Sequence, residues 1–198
     1  MTRVALFVDE NGVLTASTDG GSGTWSTPTG VGNAGLSPGT GGALFSAGTD
    51  LLIAVMVAAS GTLTATELDL SSGVAQQSVV SIGASTFLPG SPIALLQPSK
   101  TNYAAALVDL TGTLNVANVE LSGPTPSWTG PDAIGNGNLV PGSYLAVITQ
   151  GTARISVLVV DGDGLLNVAT LEIASGSWHG PVPVGNTGLV PGSYVSVE

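Results

Sequence analysis

The chain has no cysteine, a single histidine and only three basic residues, and each scarcity removes a class of explanation. Without cysteine, neither disulfides nor a thiolate metal site can hold it together, so stability must come from packing and backbone pairing. The compartment is left open. The basic residues Arg3, Lys100 and Arg154 are scattered, and 13 acidic residues bring the formal net charge to −10. A nucleic-acid binder needs a basic footprint to replace phosphate counterions, and an anionic membrane surface disfavours this chain on the same ground. No apolar run approaches the ~20 residues of a spanning helix, and Met1-Thr2-Arg3 leads into a strand-like segment without the apolar stretch of a signal peptide. The expectation is a soluble protein that neither inserts into a membrane nor binds nucleic acid.

What is present points to β-structure. Hydrophobic residues make up 43% of the 198, enough for a packed core, and they alternate with period two among 29 glycines. No window carries a helical stripe closed by caps, so the fold class is all-β. One phrase then sets the register. Gly32-Asn33-Ala34-Gly35-Leu36-Ser37-Pro38-Gly39 returns at Gly83 to Gly90, at Gly135 to Gly142 and, most clearly, at Gly185 to Gly192. Each copy ends in Pro-Gly, a turn in which Pro presets φ and Gly accepts a positive one. The steps Pro38 to Gly61, Pro89 to Gly112 and Pro141 to Gly164 are all 23 residues, whereas the other half of the repeat varies between 26 and 29. Constant spacing implies fixed geometry, and the variation falls in one loop.

Each unit divides into four strands. Strand a follows Pro-Gly and carries Ala43, Ala94, Ala146 or Ser196; strand b is the most apolar and holds Val8, Val57, Val108 or Val160. Strand c holds Leu14, Leu63, Leu114 or Leu166, and strand d holds Trp25, Trp128 or Trp178, with Gln76 in the second unit. Short hairpins between them make each unit an antiparallel meander, and a connection of about ten residues from strand d to the next strand a suits a β-propeller. The expected fold is one domain over 1–198, a small propeller of four four-stranded blades. Its repeats are 1–38, 39–89, 90–141 and 142–191, with 192–198 completing the first blade. Pairing the C-terminal strand with the N-terminal strands would close the ring and remove two open edges. The same closure can form between chains, so strand sharing in a homo-oligomer is the alternative.

The apolar strand, the Gly-x-Leu hairpin, the Gly/Ser-x-Trp strand and the Gly-Asn-x-x-Leu-x-Pro-Gly connection together resemble the β-propeller lectins of bacteria and fungi. The resemblance implies sugar sites between adjacent blades, built from aromatic and polar side chains. Trp25, Trp128 and Trp178 can each offer a ring face to a sugar's C–H face, or can instead fill the gap between neighbouring sheets. Asn33, Asn136 and Asn186 each lie five residues before the Pro of their unit; the second unit has Ala84 there and has also lost its Trp, as a disabled site would. Asn can equally satisfy its own loop.

Other motifs argue against chemistry. Ser17-Thr18-Asp19-Gly20-Gly21-Ser22-Gly23-Thr24-Trp25 resembles a loosened Asp-box, a structural hairpin of sialidase-like blades. A sialidase site clamps a carboxylate with three arginines, and the chain has only Arg3 and Arg154. Asp161-Gly162-Asp163-Gly164 and Asp9-Glu10-Asn11-Gly12 read as hairpin turns, since the ligands that would complete a calcium site do not follow. His179, beside Trp178, has no nucleophile-elbow setting and reads as a ligand or rim group. Asp69, Glu120 and Glu172 recur at one position, which suits an equivalent place in each blade better than one asymmetric active centre. The expected function is therefore a non-enzymatic, multivalent carbohydrate-binding module without cofactor or metal, with glycans or glycoconjugates as partners and the localisation left open between the cell interior and a surface outside it. The ligand-binding set is Trp25, Asn33, Trp128, Asn136, Trp178, His179 and Asn186. A propeller scaffold without small ligand, natural or engineered, is the alternative.

Overall fold

A computed structural model describes residues 3–71, 73–84, 86–123, 125–135 and 137–196. All regular structure among them is β-strand, arranged as four antiparallel sheets in chain order. The first sheet has three strands, β1 (Arg3–Val8), β2 (Val13–Asp19) and β3 (Thr29–Ala34). The second runs β4 (Ala43–Ser46), β5 (Leu51–Val57), β6 (Leu63–Asp69) and β7 (Ala75–Ile82). The third is β8 (Ala94–Leu96), β9 (Asn102–Val108), β10 (Leu114–Glu120) and β11 (Ser127–Ile134). The fourth is β12 (Ala146–Gln150), β13 (Arg154–Val160), β14 (Leu166–Glu172) and β15 (Ser177–Val184).

The middle strands of the second and third sheets are apolar on both faces because each of these sheets lies between two others; among the described residues the first and fourth sheets have a neighbouring sheet on one side only. In the second sheet, Ala54 and Met56 face the first while Ile53, Val55 and Val57 face the third, all within 3% of full burial. The result is one apolar cluster between each consecutive pair of blades: Leu14, Ala16 and Leu68 in the first, Leu63, Phe87 and Leu107 in the second, Leu114, Val157 and Val159 in the third.

The repeated connection is locked over the hairpin between the second and third strands of its own blade. Leu36, Phe87, Leu139 and Leu189 donate their backbone N–H to the carbonyls of Gly12, Gly61, Gly112 and Gly164 at 2.8–3.1 Å. These glycines have φ of 74–81°, and a Cβ on any of them would fall onto the carbonyl oxygen of that same Leu or Phe. The first three connections also bridge forward to the next blade, Leu36 to Ala58, Phe87 to Asp109 and Leu139 to Asp161. Backbone contact of this kind tolerates no side chain, which explains why Gly recurs in every unit.

The expected closure by the C-terminal strand is not found. Among the described residues β1 pairs only with β2, so the first blade has three strands instead of four. Residues 193–196 run beside the fourth blade, where the Gly192 N–H donates to Val160 O at 3.3 Å and the Tyr194 ring meets Tyr144 edge-on at 5.9 Å. Four blades with three apolar interfaces form an open arc. The repeat sets contacts within a blade and to the next one, whereas pairing β1 with the C-terminal segment is a separate long-range contact, and residues 193–196 lie beside the fourth blade instead. The first Trp also differs from expectation: Trp128 and Trp178 are second in β11 and β15, but Trp25 precedes β3. The longer loop before it is gathered by Asp19, whose Oδ1 accepts the N–H groups of Gly21 and Gly23 at 2.8 and 3.1 Å.

Because Gly112 combines φ of 79° with a backbone neighbour, Gly112→Ala is expected to lower unfolding free energy by about 1–3 kcal/mol. Thermal and urea denaturation of the variant would check this, with Gly151→Ala, where nothing lies near the added Cβ, as the milder comparison.

Candidate functional site

The two ends of each sheet are chemically different. One end carries the hairpins made by Asp9, Asp109 and Asp161, and their carboxylates are occupied. Asp161 Oδ1 accepts the N–H groups of Asp163 and Leu165, both at 2.9 Å, and its Oδ2 accepts from the Asn167 amide at 2.7 Å. Asp109 is held likewise by Thr111, Thr113 and Asn115. Asp163 in turn accepts from the Asn138 amide at 2.9 Å, which ties the connection of the third blade to the hairpin of the fourth. These groups are turn fixtures, as the residue pattern suggests, and among the described residues no cluster has the makings of a metal site.

The opposite end holds a cleft of about 430 Å³ between the third and fourth blades. Trp178, half-buried, supplies an aromatic wall from the fourth blade, with Leu171 and Ile173 beneath it. The third blade supplies the polar wall: Asn118 and Glu120 from the end of β10, Thr129 and Asp132 from β11. Strand alternation explains the arrangement, because Leu171 opposes Trp178 in register and both point back to the third blade. An amphipathic floor beside carboxylate and amide acceptors suits a small polyhydroxylated ligand, which offers C–H and O–H groups on the same ring.

Between the second and third blades Trp128 occupies the corresponding place, packed against the interface cluster, and its indole N–H is buried without a hydrogen-bond partner. Nearby, Tyr103 stacks on Phe45 with centroids 4.3 Å apart and accepts from the Gln97 amide at 2.8 Å. Trp25 is 46% exposed, and no preceding blade stands against it. His179 is exposed on the other face of β15 from Trp178, opposite Thr170.

Of the expected Trp and Asn pairs, Trp178 and Asn186 lie apart. Trp178 and Asn186 are eight residues apart along β15 and its extension, roughly 25 Å at the ~3.3 Å rise of a strand, so they mark opposite ends of the blade. Asn33 is likewise near the far end of β3; Asn136 lies outside the described residues. The polar wall was missed as a unit because its residues belong to the repeat before the Trp they face. One signal could have revealed it: the first unit has Gly20 where the others have Asp69, Glu120 and Glu172, and the second unit has Gln76 where the others have Trp. The two losses fall on the two sides of one interface.

No protein-family model and no curated protein matches the chain. Solved structures do. The BP39L lectin from Burkholderia pseudomallei superposes with a TM-score of 0.83 at 29% identity, over 96% of this chain and 54% of that one. A fungal lectin from Aleuria aurantia, described as a six-bladed β-propeller with a novel fucose recognition mode, gives 0.60 at 22% identity, over 89% and 54%. AofleA from Arthrobotrys oligospora gives 0.60 at 14%, over 96% and 55%. The chain thus spans about half the length of the solved structures it matches.

Hydrogen bonds set the acid response of the hairpins. Burial opposes ionisation of Asp161, but the Leu165 N–H, the Asn167 amide and the Asp163 N–H outweigh it and hold the carboxyl below its ordinary range. For Asp109 burial is likewise outweighed, by Thr111, Thr113 and Asn115. A carboxylate with a depressed folded pKa adds stability that is present above the unfolded value of about 3.9 and lost as pH falls through the folded one. Melting temperature should therefore hold from about pH 5 upward and fall below about pH 4. In an Asp109→Asn/Asp161→Asn variant it should start lower and fall less, as circular dichroism across pH would show. In fold and repeat the chain is lectin-like, a run of β-propeller blades of the kind found in these bacterial and fungal lectins.

Proposed function

We propose that the chain is a non-enzymatic carbohydrate-binding module whose sites are the clefts between consecutive blades. The observation that carries this reading is the cleft in which Trp178 faces Asn118, Glu120, Thr129 and Asp132 across an interface. Trp128 is the platform of the second such site, at the place that Trp178 takes in the next interface. The interface between the first and second blades, with Gly20 and Gln76, is the disabled one. Asn186 lies beyond the end of β15 away from Trp178, so the sugar contacts in this reading come from the Trp and the polar wall it faces. Individual sites of this kind are shallow, and repetition supplies avidity on a glycan-bearing surface. Because the Aleuria lectin is described as recognising fucose, L-fucose and methyl α-L-fucoside are the first sugars to try.

A scaffold reading draws on one observation, the packing of Trp128 and Trp178 against the interface clusters. The two readings part on a titration. Calorimetry with methyl α-L-fucoside and a glycan array should show saturable binding, and Trp178→Ala should weaken the affected site about tenfold, the equivalent of ~1.4 kcal/mol. A folded protein that binds no glycan favours the scaffold.

A further inference from the structure

Two interfaces between blades carry a Trp, and they are built from matching rows of residues. Directly opposed residues of antiparallel strands share a face, so each row presents its side chains as one strip. Between the third and fourth blades, the row Leu96, Ala104, Asn118, Thr129 faces the row Ile155, Leu171, Trp178. Between the second and third, Phe45, Ile53, Glu67, Ser78 faces Tyr103, Val119, Trp128. Only the first of these interfaces is open. There Asn118 and Thr129 are exposed and line the cleft with Trp178. In the other, Glu67 is only 8% exposed, and the Ser78 hydroxyl and the Trp128 indole N–H are buried with no hydrogen-bond partner.

The closed rows are bulkier at three places, with Phe45 for Leu96, Ile53 for Ala104 and Tyr103 for Ile155. Tyr103 does more than fill space. Its ring stacks across the interface on Phe45, with centroids 4.3 Å and planes 19° apart. Its hydroxyl donates to the Ser46 carbonyl of the second blade at 3.3 Å and accepts from the Gln97 amide of its own blade at 2.8 Å. Ile155, at the same place in the open interface, can make neither bond. Burying polar atoms without partners costs free energy that wetting would return, so the closed form is held against a standing cost. A groove of about 470 Å³ beside Tyr103, lined also by Ser46, Thr49, Lys100 and Leu121, leaves the ring room to turn out.

We propose that Tyr103 is a strap that holds the interface between the second and third blades shut, so that two clefts of one design differ in readiness. It is a positioning residue, acting on Trp128, Glu67 and Ser78 by covering them. The strap depends on the lectin reading above only for the sugar. While Tyr103 lies on Phe45, the Trp128 indole N–H is out of reach of solvent and solute alike. When it turns out, Glu67, Ser78 and Trp128 take the parts that Asn118, Thr129 and Trp178 have in the open cleft. A ligand then binds only the fraction of molecules with the strap released, and its apparent affinity falls by that fraction.

Hydrogen exchange of the indole N–H groups, measured without sugar, reads the strap alone. In the parent chain Trp128 should exchange about tenfold more slowly than Trp178. Tyr103→Ile, which copies the fourth blade, should bring Trp128 to the rate of Trp178 and leave Trp178 unchanged. Tyr103→Phe keeps the ring and loses both hydroxyl bonds, and it should speed Trp128 by less. Equal exchange of Trp128 and Trp178 in the parent chain, or a Trp128 that stays as protected in these variants while their β-sheet circular dichroism is intact, would overturn the proposal. Sugar is read separately. Methyl α-L-fucoside should shift the Trp128 signal of the parent chain at about tenfold higher concentration than the Trp178 signal, and Tyr103→Ile should close that gap. If Tyr103→Ile frees Trp128 but no fucoside binds at either cleft, the lectin reading fails and the strap stands.

Discussion

The structure depends on one close approach, the backbone of Leu36, Phe87, Leu139 or Leu189 lying directly over a hairpin glycine. That contact needs a residue without Cβ and with φ near 75°, and it fixes where the connection leaves its blade. The Pro-Gly turn follows at a set distance, the next inner strand starts there, and the next hairpin arrives 23 residues after the Pro. Packing between sheets then has no freedom of register, because a slip of one residue would turn Ile53, Val55 and Val57 away from the interface they fill.

That constraint is written in local sequence, which is why the blades were legible. Strand positions marked by Val57, Leu63, Val108, Leu114, Val160 and Leu166 fall in the expected strands and are buried or nearly so. Ring closure was not legible, because pairing of β1 with the C-terminal segment is a long-range contact that the spacing within a repeat does not encode. Trp25 was placed on a strand by its spacing from Pro38, but the glycines before it let Asp19 gather a longer loop that spacing alone does not reveal.

The site was legible by halves. Reading each repeat as a self-contained unit joined Trp178, second in β15, to Asn186, which lies beyond the other end of that strand. The cleft instead joins Trp178 to Glu120 of the repeat before, since alternation sends the two faces of a blade to different neighbours. In a stacked repeat protein the functional unit is the interface, and its residues are read one repeat out of step. The same shift puts Gly20, in place of an acid, and Gln76, in place of Trp, on the two sides of one interface.

The central claim is that an interface Trp and the polar wall of the preceding blade form the sugar site. The indole N–H resonances of Trp25, Trp128 and Trp178 in a nitrogen-15-labelled sample, followed through a methyl α-L-fucoside titration, test it most directly. The account predicts saturable shifts at Trp128 and Trp178, abolished for Trp178 when Glu120→Ala and Asp132→Ala are combined. Indole signals that stay fixed while sugar binds, or while none binds at millimolar concentration, would contradict it.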